Sequence, residues 1–212
     1  RVVPVERAAG DADDSRRRAD LEAVQVITAE IGIGDRHVPG RAQKQPAARA
    51  VHVVVAGDRA YFGSTVDHRL YCVDAATGQT IWSFYTEGPI RLAPTLAHEN
   101  VYCGSDDGNV YCLAADDGRV VWQMRVGPKD DRLLSRGEMI SRWPVRTGVL
   151  IDGEIAYFGA GVFPHETVYL CAVKATTGEI IWRNDRISQQ DAGGNDLSPR
   201  GYMLSNKDFL YV

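Results

Sequence analysis

The feature that most constrains this chain is a segment that occurs three times. YCVDAATGQTIW ends at Trp82, YCLAADDGRVVW ends at Trp122, and LCAVKATTGEIIW ends at Trp182. In every copy a glycine lies four residues before the tryptophan and a small residue lies ten before it. A spacing that is kept three times marks an internal repeat, so the fold must be built from repeated units.

Each unit is predicted to form four short β-strands. In the second copy the apolar and aromatic runs LAPTLA, VYCGS, NVYCLAA and RVVWQMRV are separated by the turn sequences HEN, DDG and DDG. Runs of this kind between Asp, Asn and Gly turns are typical of an antiparallel meander. Trp82 and Trp122 lie 40 residues apart, which suits a propeller blade and excludes helical repeats of about 33 to 34 residues. The sequence therefore predicts an all-β fold, a partial β-propeller of four-stranded antiparallel blades.

The repeat predicts three complete blades and the start of a fourth. The complete blades span about 49–86, 87–126 and 142–186, and the incomplete one spans 197–212. Residues 1–48 lack the repeat and are interpreted as a leader, a linker or a degenerate blade.

Composition excludes several classes of protein. The net charge of −4 argues against a nucleic-acid-binding surface, and the absence of an apolar run of 18 or more residues predicts no transmembrane segment. The four cysteines occupy strand positions of the repeat without C-x-x-C spacing. They are expected to be free thiols in the core, with a disulfide as the alternative, and no metal site is predicted.

The first copy has the pattern small-x-Asp-x-x-Thr-Gly-x-x-x-Trp, which resembles the tryptophan-docking motif of pyrroloquinoline-quinone-like (PQQ-like) β-propellers. That family includes quinoprotein alcohol dehydrogenases and the lipoprotein scaffold of outer-membrane protein assembly. The resemblance covers about residues 50–212 and implies that each tryptophan packs against the neighbouring blade, where its indole N–H needs an acceptor.

The second copy departs from this motif at Ala114 and Asp117, and the third departs from it at Lys174. The residues assigned to the structural docking motif are Cys72, Asp74, Thr77, Gly78, Trp82, Cys112, Gly118, Trp122, Ala172, Thr177, Gly178 and Trp182.

The insertions between the predicted strands all belong to one face of the blades. In a meander blade the second-to-third and fourth-to-first connections emerge on one face, which we call the loop face. The long connections 125–143 and 183–198 are of the second kind, and 160–168 is of the first. Enlarged loops on a rigid scaffold are where binding usually occurs, so we predict a binding site on the loop face.

Arginines near the inner strands and one neighbouring His-Glu pair are the candidate ligand residues of this face. Converging guanidinium groups suit a carboxylate or phosphate ligand; alternatively, each arginine pairs with an acidic residue and ties the blades together. Adjacent residues in an extended segment point in opposite directions, so the His-Glu pair predicts no catalytic dyad. The candidates are Arg91, Arg142, Arg146, His165, Glu166 and Arg200.

Two functions follow from these patterns. The first is a non-catalytic binding or scaffold module, whose partner is a protein, another macromolecule or further domains of a longer chain. The alternative is a fragment of a quinoprotein alcohol or sugar dehydrogenase, for which the resemblance implies PQQ and Ca²⁺. The adjacent cysteine pair of those dehydrogenases is not present. The resemblance also implies a periplasmic or other extracytoplasmic location, although the chain contains no signal-peptide pattern.

Overall fold

A computed structural model describes residues 2–4, 25–29, 51–163, 166–187, 198–206 and 209–212. Within these ranges almost all regular structure is β-strand, which confirms the predicted all-β class. In chain order the strands are β1 (Val2–Pro4), β2 (Gln25–Ala29), β3 (Val51–Ala56), β4 (Arg59–Gly63), β5 (Arg69–Asp74), β6 (Thr80–Tyr85), β7 (Thr95–Ala97), β8 (Asn100–Gly104), β9 (Asn109–Ala114), β10 (Val120–Arg125), β11 (Arg132–Ser135), β12 (Glu138–Ser141), β13 (Leu150–Asp152), β14 (Ile155–Ala160), β15 (Tyr169–Lys174), β16 (Ile180–Asn184), β17 (Leu204–Ser205) and β18 (Phe209–Tyr211).

These strands form four sheets and one separate hairpin. Sheet 1 has the order β2-β3-β4-β5-β6, sheet 2 has β7-β8-β9-β10, sheet 3 has β13-β14-β15-β16, and sheet 4 has β1-β18-β17. Strands β11 and β12 pair only with each other among the described strands. Sheets 2 and 3 are the antiparallel four-stranded meanders that the repeat predicts, and sheet 1 adds strand β2 to the same plan.

The turn that precedes each tryptophan strand, such as the turn between β5 and β6 in sheet 1, is stabilised by local hydrogen bonds. In sheet 1 the Asp74 carboxylate accepts the Thr77 hydroxyl and the Thr77 N–H, both at 2.7 Å. These two bonds, the hydroxyl first, lower the pKa of Asp74. The Gly78 N–H donates to the Asp74 carbonyl, and the same bond recurs from Gly118 and Gly178 in the next two sheets. The turn therefore keeps its shape where the side chain of the motif Asp is absent.

In sheets 1, 2 and 3, the strand that carries the tryptophan contains a β-bulge directly before that residue. Cys72 lies opposite Trp82 but Val73 lies opposite Thr80, so Ile81 is an extra residue in β6. The same irregularity occurs in β10 and β16. A bulge bends and twists its strand and redirects the following side chains.

Two of the tryptophans bind the next sheet along the chain. The Trp82 indole N–H donates to the Ala115 carbonyl at 3.1 Å, and the Trp122 N–H donates to the Ala175 carbonyl at 2.7 Å. Each ring lies against the turn glycine of that next sheet. A Cβ added to Gly118 would lie 2.6 Å from the Trp82 ring, and one added to Gly178 would lie 2.9 Å from the Trp122 ring. Only glycine fits there, because it has no Cβ and also adopts the positive φ of the turn.

The core lies between the sheets. One cluster of buried side chains joins sheets 1 and 2 around Leu70 and Leu113. A larger cluster joins sheets 2, 3 and 4 and includes Phe158, Leu170 and Leu210. Both faces of sheet 2 are therefore buried, which is why every residue of its third strand β9 is buried.

Gly118→Ala should destabilise the protein more than Gly78→Ala. Both glycines have positive φ, but a Cβ at Gly78 meets open space whereas one at Gly118 meets Trp82. Since overpacking typically costs about 1–3 kcal/mol, the free energy of unfolding should fall by that much more in the Gly118 variant. Urea unfolding of both variants measures the difference, and equal losses would contradict the contact.

Candidate functional site

One buried carboxylate joins three parts of the loop face. Asp106 lies in the β8–β9 loop, and its side chain is 0% exposed. Arg91 Nε donates to Asp106 Oδ2 at 2.6 Å. Arg146 donates to both oxygens, with Nε at 2.9 Å and Nη2 at 3.0 Å. Arg91 follows sheet 1 and Arg146 precedes sheet 3, so a single charge-assisted network ties sheets 1, 2 and 3 together.

The backbone of the same loop is also held in place. The Asp106 N–H donates to the Pro89 carbonyl, and the Asp106 carbonyl accepts the Ser141 N–H at 2.7 Å. The buried Asp107 carboxylate accepts the Tyr111 hydroxyl at 2.6 Å and the Asn109 N–H at 2.8 Å. The loop is thus a fixed support on which the inserted connection 126–143 rests.

That connection is not an irregular loop but contains a hairpin, formed by β11 and β12, which we call the inserted hairpin. Its Arg132 pairs with Glu87 of the connection that follows sheet 1 and donates from Nε to Asp130 Oδ1 at 3.1 Å. The bond from Arg132 is the main cause that lowers the pKa of Asp130. On the second strand, Glu138 Oε1 lies 3.8 Å from His68 Nε2 of the β4–β5 loop. An ion pair on the first strand and a carboxylate–imidazole contact on the second therefore brace the hairpin against sheet 1.

The two faces of the inserted hairpin differ. Leu133 and Ile140 lie opposite each other, and Ile140 is buried against the body of the protein. Leu134 and Met139 form the next pair, and they are 70% and 51% exposed. Directly opposite residues of an antiparallel pair share one face, so Leu134 and Met139 form an apolar pair that points to solvent. The exposed residues Arg136 and Gly137 form the turn beside them.

The remaining predicted ligand residues do not meet at one point. Arg142 donates from Nη1 to both oxygens of Glu166, at 2.9 and 3.1 Å, and its Nε lies 3.2 Å from Asp131. Arg200 Nη2 donates to the Val162 carbonyl at 3.2 Å. His165 lies outside the described residues.

Sequence reasoning did not identify Asp106, Leu134 or Met139 as site residues. The sequence places Asp106 in a turn, and its arginine partners are 15 and 40 residues away. The Arg136-Gly137 dipeptide between the short apolar runs Leu133-Leu134 and Met139-Ile140 carried a hairpin signal that could have located the apolar pair.

The cysteines are free and buried, as predicted, and they do not contribute a reactive group. Burial is the main cause that raises the pKa of Cys112 and of Cys171 to about 12, and it also raises the pKa of Cys103. A thiol in this state is neutral near pH 7 and is a poor nucleophile.

Comparison with known proteins identifies the family. Residues 34–200, more than half of the chain, match the family model described as outer membrane protein assembly factor BamB. The chain belongs to this PQQ-like repeat family. It is 24% identical over 130 residues to the tetrathionate hydrolase of Acidithiobacillus ferrooxidans, covering 61% of this chain and 22% of that protein. It is 30% identical over 136 residues to the dehydrogenase subunit of the quinone alcohol dehydrogenase of Gluconobacter oxydans, covering 58% and 17%.

The fold agrees with that assignment. The quinohemoprotein alcohol dehydrogenase of Comamonas testosteroni superposes with a TM-score of 0.51 at 21% identity, over 62% of this chain and 20% of that one. The PQQ-like chain is therefore a partial β-propeller. It spans about a fifth of the length of the relatives it matches.

The described part of this PQQ-like chain does not fit a quinone with three carboxylates. Arg91 and Arg146 already bind Asp106, so the donors of these guanidinium groups are directed at that side chain and not at a ligand carboxylate. A cavity of about 180 Å³ lies beside Thr95, Val149 and Tyr202. Among the described residues no His, Cys, Asp and Glu cluster has metal-binding geometry.

In the same described ranges, no helix has the length and apolar character needed to cross a membrane.

Asp106→Ala should strongly destabilise the PQQ-like chain. It leaves two arginines without their shared carboxylate in a partly buried place, and breaking such a pair typically costs about 2–4 kcal/mol. Glu179→Ala is the matched control, because Glu179 pairs with Lys174 on the surface, where both side chains are more than half exposed. In urea unfolding, the Glu179→Ala variant should lose less than about 1 kcal/mol of unfolding free energy. Equal losses in the two variants would contradict the role of Asp106.

Proposed function

We propose that this chain is a non-catalytic propeller module that binds a protein partner through its loop face. The observation that carries the proposal is the inserted hairpin, which holds the Leu134–Met139 pair in solvent. Apolar side chains that are both exposed and held in place by their strands are typical of the centre of a protein interface.

The bracing of the hairpin supports this function. Arg132 pairs with Glu87, Glu138 faces His68, and Ser141 donates to the Asp106 carbonyl, so the hairpin is held on both strands before any partner arrives. A pre-formed surface loses less conformational entropy on binding than a flexible loop does. The partner surface we expect is an apolar depression, with acidic groups placed to meet Arg136 at the exposed turn.

The pairing of the other charged residues favours binding over catalysis. Arg91 and Arg146 share Asp106, and Arg142 binds Glu166, so these groups tie the sheets to one another.

We propose that the contacts of Trp82 and Trp122 with the following turns dock successive blades, with boundaries near 49–86, 87–126 and 142–186. Of residues 1–48, strand β2 pairs with β3 and extends the first of these blades.

The family relation is consistent with this proposal. The matching family model is described as an assembly factor of outer-membrane proteins, which suggests work in a protein complex outside the cytoplasm. We therefore propose an extracytoplasmic location for the module. The quinone dehydrogenase relative keeps oxidation of an alcohol as the competing function.

Site-specific photo-crosslinking in the full-length protein tests the proposal. A photoreactive residue is placed at Met139 and, as a matched control, at Ile180, since these two side chains are 51% and 52% exposed. Position 139 should give an adduct with one protein, and position 180 should not. The purified adduct partner should then bind the Leu134→Ser/Met139→Ser variant at least about tenfold more weakly, with Ile180→Ser unchanged.

Two results would contradict the proposal. One is equal labelling at both positions, or equal affinity of the hairpin and control variants. The other is dye-linked alcohol oxidation by the full-length protein supplied with the quinone and Ca²⁺ that is lost in the Leu134→Ser/Met139→Ser variant and kept in Ile180→Ser, because such turnover would depend on the loop face.

A further inference from the structure

The inserted hairpin is a ribbon of two strands, and one of its two edges is already bonded to the protein. On strand β12 the Ser141 N–H donates to the Asp106 carbonyl at 2.7 Å. This bond holds β12 against the β8–β9 loop. Strand β11 pairs only with β12 among the described strands. The outer edge of β11 is therefore the side on which the ribbon can accept a further strand.

The hydrogen-bond pattern identifies the backbone groups on that outer edge. Opposite residues of an antiparallel pair alternate between a hydrogen-bonded pair and a pair whose N–H and C=O groups point away from each other. The Arg142 N–H donates to the Asp131 carbonyl at 2.8 Å, so these two residues form a bonded pair. The next residue, Arg132, and Leu134 two positions later therefore belong to non-bonded pairs. Ser141, which lies opposite Arg132, agrees because its N–H donates outside the hairpin.

Arg132 and Leu134 thus direct two N–H and two C=O groups to the outer edge of β11. None of these groups has a backbone hydrogen-bond partner among the described residues. The Leu134 side chain stands at the same place and is 70% exposed. A strand added here would bond to these groups and would place one of its side chains directly opposite Leu134, on the same face.

The outer strands of the sheets differ from β11 in a way that matters for strand addition. Strands β6, β10 and β16 each contain a β-bulge. A bulge interrupts the ladder and twists the strand, which is one way in which proteins prevent the addition of a further strand at an edge. Strand β11 keeps an unbroken register with β12 over its whole length and contains no proline. Its edge is therefore regular where the edges of the sheets are interrupted.

We propose that β11 is a docking edge, to which an extended segment of the protein partner adds as a third strand of the hairpin. This inference rests on the proposed function, because it names how the partner binds the same surface. Backbone hydrogen bonds supply affinity in this mode of recognition, and side-chain positions supply specificity.

The side chains around the docking edge indicate the chemistry of the partner segment. Its residue opposite Leu134 is expected to be apolar, because Leu134 and Met139 already form an apolar pair on that face. An acidic residue near the end of the segment would face the exposed Arg136 at the turn. The added strand then forms one wall of the apolar depression expected for Leu134 and Met139.

Hydrogen exchange at single-residue resolution tests the docking edge in the full-length protein, with and without the purified protein that is crosslinked at Met139. In the free protein the amides of Leu133 and Ser135, which face β12, should exchange slowly, while those of Arg132 and Leu134 exchange fast. The partner should slow the last two amides at least about tenfold and leave the first two little changed. Unchanged exchange of Arg132 and Leu134 in the saturated complex would overturn the proposal.

Leu134→Pro provides a second test, with Leu134→Val as the matched control. Both replacements are apolar and similar in size, but only proline removes the N–H from the outer edge. Because that N–H is not used within the hairpin, the β11–β12 ladder tolerates a proline at this position. Leu134→Pro should weaken binding of the crosslinked partner at least about tenfold more than Leu134→Val does. Equal affinities of the two variants would also overturn the docking edge.

The outcomes separate the docking edge from the proposed function. Slow exchange of Leu133 and Ser135 in the Leu134→Pro variant shows that its hairpin is still formed; if that protection is lost, the exchange of the unsubstituted complex alone decides. An adduct at Met139 without protection of Arg132 and Leu134 overturns only the docking edge. Absence of an adduct at Met139 overturns both.

Discussion

The contact between a tryptophan and the turn glycine of the following sheet is the interaction on which the rest of this structure depends. It combines a buried indole, a hydrogen bond to a backbone carbonyl and a turn that only glycine fills, at both Trp82 and Trp122. A bulge before each tryptophan turns the side chain out of its own strand. Because the contact is formed by outer strands, it fixes the spacing of neighbouring sheets and leaves the connections on the loop face free to vary.

The connections of the loop face are arranged around one buried carboxylate. Asp106 binds two arginines, and the backbone beside it supports the inserted hairpin. The arginines that suggested an anionic ligand therefore act as ties between sheets, while the apolar pair Leu134–Met139 is left in solvent. This division between paired charges and an exposed apolar pair is what favours a protein partner over a small molecule.

The sequence predicted the features that depend on local chemistry. The Asp, Thr and Gly of the turns act within a few residues of one another, so their spacing was enough to predict four-stranded antiparallel sheets. The charge-assisted network at Asp106 was not predictable from the sequence, because the arginines that bind Asp106 lie beside different sheets and meet it only after those sheets pack. The pairing of β1 with β18 depends on contact between distant segments, one of which lacks the repeat.

The central claim is that packed sheets present a pre-formed hairpin as a protein-binding surface. Hydrogen exchange of the free full-length protein, measured by mass spectrometry on peptides that cover residues 132–141, tests it most directly. The account predicts that the paired amides of β11 and β12 exchange markedly more slowly than those of an unstructured peptide, because the hairpin strands are braced by the Arg132–Glu87 ion pair, the Glu138–His68 contact and the Ser141 hydrogen bond. Exchange at the rate of an unstructured peptide would show that the hairpin is not formed before binding, and would contradict the account.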